Sequence, residues 1–330
     1  MNDRALKVLE QYELEVTGTR RGRGAYILET SQGLRILSDY TGSEQKALFQ
    51  NRVMEQIREG GYEKVDLLIP NKEGNLISRD WEDNKYVVKE WYTGRECDTA
   101  SENEIMAAVS NLARLHRLMH LDGETSFRQN FTAQEPLKEI RAQNAEMKKI
   151  RSFIRKRNAK GDFERLFLDC FTSYFEQAVE AEKKLVQMEE RLSISKSDRQ
   201  DSVCHGDYNH HHVLMSGYDI ATTNFECCRY DFQVSDLYRF MRKILEKHEW
   251  NPRLGMRMLE TYVQVRPLPQ TERRLLYIRM LYPEKFRKLA NYYYGSNKAW
   301  ISRRFLDKLE KLNAQEKVKA GFVRMLEKQL

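Results

Sequence analysis

The sequence predicts an α+β protein built from a small antiparallel-sheet part followed by a mainly helical part. In the first part, short apolar segments separated by turn residues are interrupted by only one helical pattern. From Glu102 onward, apolar residues recur at helical spacing. A chain of 330 residues is long enough for two such parts. We assign them to residues 1–93 and 94–330.

The sheet part is predicted from four segments. Tyr26–Glu29 is apolar and strand-like, and the turn signal Thr-Ser-Gln-Gly leads into a second strand at Gly33–Leu37. Two further strands are predicted at Leu76–Arg79 and Lys85–Trp91. Their separation by polar turn residues is typical of an antiparallel arrangement.

One helix is predicted within this part, over Glu44–Glu59. Ser43 is a suitable N-cap, and two consecutive glycines, Gly60 and Gly61, end the pattern. Its predicted apolar face comprises Ala47, Leu48, Val53, Met54 and Ile57.

In the helical part, two more helices are predicted from apolar faces. The first face comprises Ile105, Ala108, Val109, Leu112, Leu115, His116 and Met119. The second comprises Phe163, Leu166, Phe167, Cys170, Phe171, Tyr174, Phe175 and Ala178.

Composition restricts the class of protein. Charged residues make up 32% of the chain, and no run of about 18 apolar residues exists, so we expect no membrane span. The first residues lack an apolar signal segment, which favours a cytoplasmic location. The net charge of +7 permits nucleic-acid binding through the basic run Lys148–Lys160. Apolar residues at helical spacing within that run favour a helix with one packed side and one solvated basic side, which disfavours nucleic acid as a partner.

The residues that carry chemistry gather between Val203 and Asp236. This segment holds four of the seven histidines and three of the five cysteines. It runs from His205-Gly206-Asp207 through an apolar strand and a turn to Asn224-Phe225.

That pattern resembles the catalytic and metal loops of the aminoglycoside phosphotransferase and choline kinase superfamily. A helix with the sequence Leu-Ala-Arg-Leu-His at residues 112–116 resembles another family motif. The tyrosine-rich block at Tyr292–Trp300 resembles the C-terminal part of spore coat kinase-like proteins of the CotS type. The resemblance covers nearly the whole chain. It implies a protein-kinase-like bilobal fold, with an N-lobe at 1–93, a helical C-lobe at 94–330 and a catalytic-loop hairpin at 203–236.

The resemblance also implies roles for individual residues. Asp207 corresponds to the aspartate that accepts the proton of the substrate hydroxyl. His212 and Asn224 occupy the two metal-ligand positions, where the family has asparagine and aspartate. His205 corresponds to a residue that shapes the loop, and Asp236 to a buried aspartate that braces it through backbone hydrogen bonds.

Three positions depart from an active kinase. Imidazole at His212 is a poor ligand for Mg²⁺, and the amide of Asn224 lacks the charge of the aspartate it replaces. Ser38 stands where the family has its phosphate-anchoring lysine, and the neighbouring Arg35 alternates to the other face of the strand. Glu44 aligns with the carboxylate that pairs with this lysine, so the expected lysine partner is missing. Gly18, Gly22 and Gly24, with their intervening arginines, fit a phosphate-covering loop and a plain hairpin turn equally well.

Alternative interpretations of the same residues remain open. His210, His211 and His212 with nearby cysteines suggest a transition-metal site, but adjacent side chains diverge and rarely share one ion. Cys227 and Cys228 suggest a vicinal disulfide or reactive thiol, although buried or loop positions are more usual in a reducing compartment. Asp231 is interpreted as a bracing group. The tyrosines at 292–294 with Trp300 suggest either a substrate shelf or helix packing, of which packing is favoured.

The sequence therefore predicts a degenerate pseudokinase of the spore coat that acts as a coat component or assembly factor. The resemblance implies other spore coat proteins as partners, and synthesis in the mother-cell cytoplasm before coat deposition. The alternative is an active phosphotransferase that uses Asp207 with ATP or GTP and Mg²⁺ on a small-molecule or protein hydroxyl. In either case we expect Asp207, His212, Asn224, Ser38 and Glu44 to face one cleft.

Overall fold

The computed structural model describes residues 3–121, 125–192, 201–217, 219–295 and 303–329. The chain forms two compact units. The first unit comprises Met1–Thr132, Arg199–Phe240 and Thr261–Arg266, and the second comprises Ala133–Asp198, Met241–Glu260 and Pro267–Leu330. The boundary at residue 93 stays a prediction, because the first unit includes both the N-terminal sheet and the 203–236 segment.

The first unit opens with a 3-10 helix at Asp3–Gln11 and a six-stranded antiparallel sheet. The strands are β1 (Val16–Arg21), β2 (Ala25–Thr30), β3 (Gly33–Asp39), β4 (Leu68–Ile69), β5 (Ser78–Arg79) and β6 (Lys85–Glu90). The order is β1-β2-β3-β6-β4, and β5 also pairs with β6. One face packs against the 3-10 helix, where Ala5, Val8 and Tyr12 meet Leu28, Leu37 and Val88.

Helix α1 (Glu44–Glu59) follows β3, with the bounds that the sequence predicted. The Ser43 hydroxyl accepts a hydrogen bond from the amide of Lys46, so it caps the helix as expected. The prediction of Leu48 on the apolar face was wrong, because 54% of its surface is exposed. Phe49 is the buried residue there, and its ring packs on those of Phe127 and Phe131 in α3 (Thr125–Phe131).

Helix α2 (Glu102–Leu118) buries the apolar face that its periodicity predicted. Two small sheets complete the first unit. The first joins β7 (Arg95–Glu96), β9 (Val213–Ser216) and β10 (Asp219–Thr222), and the second pairs β8 (Val203–Cys204) with β11 (Arg229–Tyr230). Short 3-10 helices at His210–His212 and Phe225–Cys227 connect these strands.

The second unit is helical in its described residues. It is built from α4 (Pro136–Lys156), α5 (Asp162–Leu192), α8 (Gln270–Leu281), α9 (Glu284–Gly295), α10 (Arg304–Glu327) and parts of α6 (Val234–Lys247) and α7 (Pro252–Val265). Aromatic stacking fills its core: the ring of Phe286 lies 4.9 Å from that of Phe167 and 4.4 Å from that of Tyr174. No described helix is long and apolar enough to cross a membrane.

The tyrosine block at 292–294 packs against neighbouring helices. Tyr293 is buried and stacks on Phe163 at 4.3 Å, whereas Tyr292 and Tyr294 are exposed. The rings of these two also pack, on Phe305 (5.2 Å) and Phe153 (5.1 Å) respectively. Trp300, the remaining aromatic residue of that prediction, lies outside the described residues.

Candidate active site

The loop at residues 205–207 is held by one buried carboxylate. Asp236, near the start of α6, accepts hydrogen bonds from the backbone amides of His205 (2.6 Å) and Gly206 (2.9 Å). Its Oδ2 atom also lies 3.3 Å from Nε2 of His116 in α2. Burial alone would raise the pKa of Asp236, but the hydrogen bond and charge of His116 outweigh it and hold the pKa at about 2. An ionised carboxylate thus fixes the backbone of the loop.

Glycine is required at the centre of this loop. Gly206 has a φ of +83°, in the left-handed region, and a Cβ atom there would lie 2.0 Å from the carbonyl oxygen of Cys227. The close approach brings the loop against the segment that follows Asn224.

His205 is a neutral, buried group. Its Nε2 donates to the carbonyl of Thr223 (3.0 Å), and its Nδ1 accepts from the backbone amide of Asp207 (3.3 Å). Its ring also packs against Phe225, with centroids 4.5 Å apart. Burial lowers the pKa of His205 to about 4. The imidazole therefore links the loop to the end of the β9–β10 hairpin and is not placed to exchange protons with a substrate.

Asp207 is the partly exposed group of the loop. Its Oδ1 lies 3.7 Å from Nη1 of Arg239, and its Oδ2 accepts from the side-chain amide of Asn209 (3.2 Å). The Arg239 guanidinium also donates to the carbonyl of Gly206. A carboxylate oriented in this way, and still open to solvent, can accept a proton from a hydroxyl that reaches it.

His212 and Asn224 contact each other directly. Nδ1 of His212 lies 2.9 Å from the carbonyl oxygen of Asp207 and 3.0 Å from the side-chain nitrogen of Asn209. In the tautomer protonated at Nδ1, the ring donates to that carbonyl, and Nε2 accepts from Nδ2 of Asn224 at 3.0 Å. Asn224 itself has a left-handed backbone (φ 69°), and its backbone N–H donates to Asp66 at 2.8 Å.

The remaining predicted cleft residues are not brought into this cluster. Ser38 lies in β3, paired with Ala25 and Val87, and its hydroxyl is buried without a hydrogen-bond partner among the described residues. Glu44 lies exposed at the start of α1 and pairs with Arg79 at 3.4 Å. The guanidinium of Arg35 donates to the adjacent carbonyl of Leu34.

A buried lysine that the sequence did not suggest lies beside Asn224. Lys89 in β6 is 4% exposed, and its ammonium lies 3.4 Å from Asp66 and 3.2 Å from Glu226. Burial raises the pKa of Asp66 to about 6, against the lowering effect of Lys89. Burial would lower the pKa of Lys89, but the two carboxylates reverse this and raise it. The only sequence signal was a lysine within an otherwise apolar strand.

The glycine-containing turn between β1 and β2 reaches the catalytic loop. Nδ1 of His211 lies 2.5 Å from Oε2 of Glu96 in β7, and the Arg23 guanidinium lies 3.8 Å from the other oxygen of that carboxylate. Arg23 and His211 are 3.3 Å apart. The amide of Gly22 donates to the carbonyl of Ala25 at 2.8 Å within this turn, and Arg23 adds a polar contact to the loop.

The adjacent histidines and cysteines of this segment do not gather around one point. The rings of His210 and His211 pack at 3.9 Å, while His211 and His212 turn to different partners. Within the described ranges, no group of three or more His, Cys, Asp or Glu residues is arranged to hold a metal ion. Cys227 and Cys228 are both thiols, so they do not form a vicinal disulfide here. Cys227 is exposed, Cys228 is buried, and burial raises the pKa of Cys228 to about 11.

Comparison with solved structures identifies the fold. An aminoglycoside phosphotransferase from Alicyclobacillus acidocaldarius is 18% identical, with a TM-score of 0.83 over 98% of this chain and 95% of that one. A spectinomycin phosphotransferase in complex with ADP and spectinomycin is 12% identical (TM-score 0.61; 97% of this chain and 93% of that one). An amicoumacin kinase in complex with AMP-PNP and Ca²⁺ is 15% identical (TM-score 0.60; 96% and 92%).

These similarities define a class of protein, the protein-kinase-like bilobal fold of the aminoglycoside phosphotransferases, with an antiparallel-sheet N-terminal region and a mostly helical C-terminal part. The predicted fold class is therefore confirmed. The particular family follows from the sequence comparison, in which the model described as "Spore coat putative kinase YutH" matches residues 6–326. The chain belongs to this family of spore coat kinases.

Proposed function

We propose that this protein is a pseudokinase that acts as a component or assembly factor of the spore coat. The observation that carries the proposal is the hydrogen bond between His212 and Asn224. These two side chains stand at the positions where the resemblance implies metal ligands. Each uses the other as a partner, and the ring nitrogen that faces Asn224 is an acceptor already occupied.

The residues present do not fit Mg²⁺. This ion prefers oxygen ligands in octahedral geometry, and carboxylates are its usual protein ligands. Here one position offers a nitrogen and the other a neutral amide whose nitrogen faces the ring. No catalytic step through a metal ion follows from this pair.

The charge of the cluster beside Asn224 also opposes phosphate binding there. Lys89 is the buried cation beside Asn224, but it is already paired with Asp66 and Glu226. Two carboxylates around one ammonium leave this cluster with a negative charge when all three are ionised. Transfer of a phosphoryl group depends mainly on positioning and on positive charge, so such a cluster disfavours it.

The coat assignment rests on the family to which the chain belongs. Under this proposal the protein is made in the mother-cell cytoplasm and then joins the coat, where its partners are other coat proteins. The kinase fold serves as a scaffold for these contacts, and Asp207 is dispensable for them.

One observation favours the alternative, an active phosphotransferase. Asp207 is retained, partly exposed, and oriented by Asn209 and Arg239. An enzyme of this kind would use ATP or GTP with Mg²⁺ in an unusual arrangement, by analogy with the nucleotide-bound phosphotransferases of the same fold.

Calorimetric titration with ATP and GTP, each with and without Mg²⁺ or Mn²⁺, distinguishes the two functions. The proposal predicts no metal-dependent binding at millimolar nucleotide. Metal-dependent binding at micromolar concentrations, weakened by Asn224→Ala and followed by turnover that Asp207→Asn abolishes, would overturn it. A fluorescent fusion carrying Asp207→Asn should still reach the coat; its failure to do so while the wild-type fusion succeeds would point to catalysis.

A further inference from the structure

The C-terminal half of α4 carries an unneutralised basic surface. Between residues 148 and 156 lie five cations and no acidic residue: Lys148, Lys149, Arg151, Arg155 and Lys156. Four of them are exposed and Arg151 is half-buried. Across the part of the chain that the structure describes, none of the five has an ion-pair partner. We call these five residues the α4 basic strip.

Other helix surfaces of the second unit mix cations with acids. Three exposed cations pair locally: Lys138 with Glu135 (3.0 Å), Arg165 with Asp162 (2.7 Å) and Lys288 with Glu284 (3.2 Å). In α10 the exposed cations are interspersed along the helix with Asp307, Glu310 and Glu316. Solvated helix faces usually mix both signs of charge in this way. A patch that carries only positive charge therefore favours binding of an anionic partner over simple solvation.

The cations form two ordered ridges. Met147, Ile150 and Ile154 are the buried side of α4, so Lys148, Arg151 and Arg155 share one flank at spacings of three, four and seven residues. The side chains of Lys148 and Arg151 lie over the rings of Phe175 (5.3 Å) and Phe171 (4.8 Å) of α5. These contacts restrict the two side chains and reduce the entropy lost on binding a partner.

The second ridge ends beside an exposed aromatic pair. Lys149 and Lys156 share the other flank, next to Phe153, which is 39% exposed. The ring of Phe153 packs edge-on against that of Tyr294 in α9, with centroids 5.1 Å apart, and Tyr294 is 47% exposed. The surface thus combines about 12 Å of positive charge along the helix with an apolar end.

We infer that the α4 basic strip, with Phe153 and Tyr294, is a docking surface for an acidic amphipathic helix of a partner protein. Glutamates at spacings of three, four and seven residues would face the two ridges, and an aliphatic side chain would cover the aromatic pair. An acidic amphipathic helix matches both parts of this surface, because its acidic side would face the cations and its apolar side the aromatic pair. This inference deepens the coat-component proposal, which it assumes, by specifying the chemistry of one partner.

The test uses full-length protein and three labelled probes in fluorescence polarisation. The first probe, the ordered peptide, is an 18-residue helical peptide with glutamates at the matching spacing and leucines at one end. The second is a scrambled peptide of the same composition, and the third is an 18-base-pair DNA duplex. No nucleotide is added, so failure of this inference is distinguishable from failure of the pseudokinase proposal.

The ordered peptide should bind more tightly than the other two probes, and its binding should weaken as salt is raised. Neutralising the strip with Lys148→Gln, Lys149→Gln, Arg155→Gln and Lys156→Gln should reduce its affinity by roughly tenfold or more, because each exposed ion pair contributes modestly. The matched control neutralises four exposed cations of α10: Lys308, Lys311, Lys317 and Arg324. It should change affinity by less than about threefold.

A second variant separates charge from apolar contact. Phe153→Ser should weaken the ordered peptide but leave the scrambled peptide unchanged, since only the ordered one presents leucines to the aromatic pair. Equal losses from the α4 and α10 variants would overturn the inference. So would tighter binding of the DNA duplex, which would assign the strip to nucleic acid, or absence of peptide binding at low salt.

Discussion

Nε2 of His212 and Nδ2 of Asn224 lie 3.0 Å apart, and this contact joins the catalytic loop to the segment after the β9–β10 hairpin. In an active kinase of this fold, a metal ion held between two oxygen ligands would connect these positions. Here the ring of His212 and the amide of Asn224 make the connection directly. Asp236 holds the loop backbone through the amides of His205 and Gly206. Under the proposed function, the two positions that the resemblance assigns to metal ligands bond to each other instead.

The first prediction concerns the carboxylate that braces the loop. Asp236→Asn removes a buried charge and replaces one acceptor by a donor that faces a backbone N–H. We expect the free energy of unfolding to fall by about 3 kcal/mol, since buried amides left unpaired are costly. Urea unfolding measures this. The control is Asp219→Asn, which affects only the exposed ion pair with Lys64 and should cost less than about 1 kcal/mol. Equal losses in the two variants would show that Asp236 does not brace the loop.

A second prediction concerns the buried ion pair. Lys89→Met leaves Asp66 and Glu226 without their cation, and we expect a loss of about 3–5 kcal/mol in the free energy of unfolding. Adding Asp66→Asn to Lys89→Met should recover much of it, because only the partly exposed Glu226 then remains without its cation. If the double variant is no more stable than Lys89→Met alone, charge compensation is not what Lys89 provides.

The third prediction compares two glycines that both have positive φ. Gly206→Ala should prevent folding of the loop, because its Cβ would collide with the Cys227 carbonyl at 2.0 Å. Gly217, at φ +60°, has open space where its Cβ would be, so Gly217→Ala should cost only about 1–2 kcal/mol from backbone strain. Thermal unfolding of the two variants measures the difference. Similar melting temperatures would contradict the close approach.

The fourth prediction concerns pH. The folded pKa of His205 is about 4, below its ordinary 6.5, so only the unfolded chain is protonated between these values. The free energy of unfolding therefore falls by about 3 kcal/mol as the pH drops from 6.5 to 4. Asp66 acts oppositely: its folded pKa is about 6 against an ordinary 3.8, so the folded chain takes the proton first and acidification stabilises it.

Asp66→Asn should consequently make stability decline more steeply between pH 6 and 4 than it does in the wild type, whatever its effect at pH 7. Urea midpoints at half-unit pH intervals give both slopes. Parallel curves for wild type and variant would show that Asp66 does not titrate in this range.

Much of the fold was predictable because local signals agreed with the global pattern. The Ser43 cap, the α1 bounds and the buried face of α2 follow from residues within a few turns of each other. Leu48 was misassigned because helical spacing also fits a face that is slightly rotated about the helix axis. On the face that is actually buried, Phe49 takes the place of Leu48.

The site was less predictable, because its decisive contacts are non-local. The sequence indicated that His212 and Asn224 depart from the family pattern, but not that they bond to each other across the hairpin. Lys89 drew no prediction, since its partners Asp66 and Glu226 come from distant segments. Arg239 was missed for the same reason: it lies on α6 and approaches Asp207 only in the folded chain.

The most direct test of the account is electron paramagnetic resonance of Mn²⁺ with ATP, recorded with the wild type and with the His212→Asn, Asn224→Asp double variant. We predict that the wild-type spectrum equals that of Mn²⁺–ATP alone, whereas the double variant, which restores two oxygen ligands, gives a protein-bound signal. A protein-bound Mn²⁺ signal in the wild type, lost on Asn224→Ala, would contradict the claim that these positions no longer hold a metal ion.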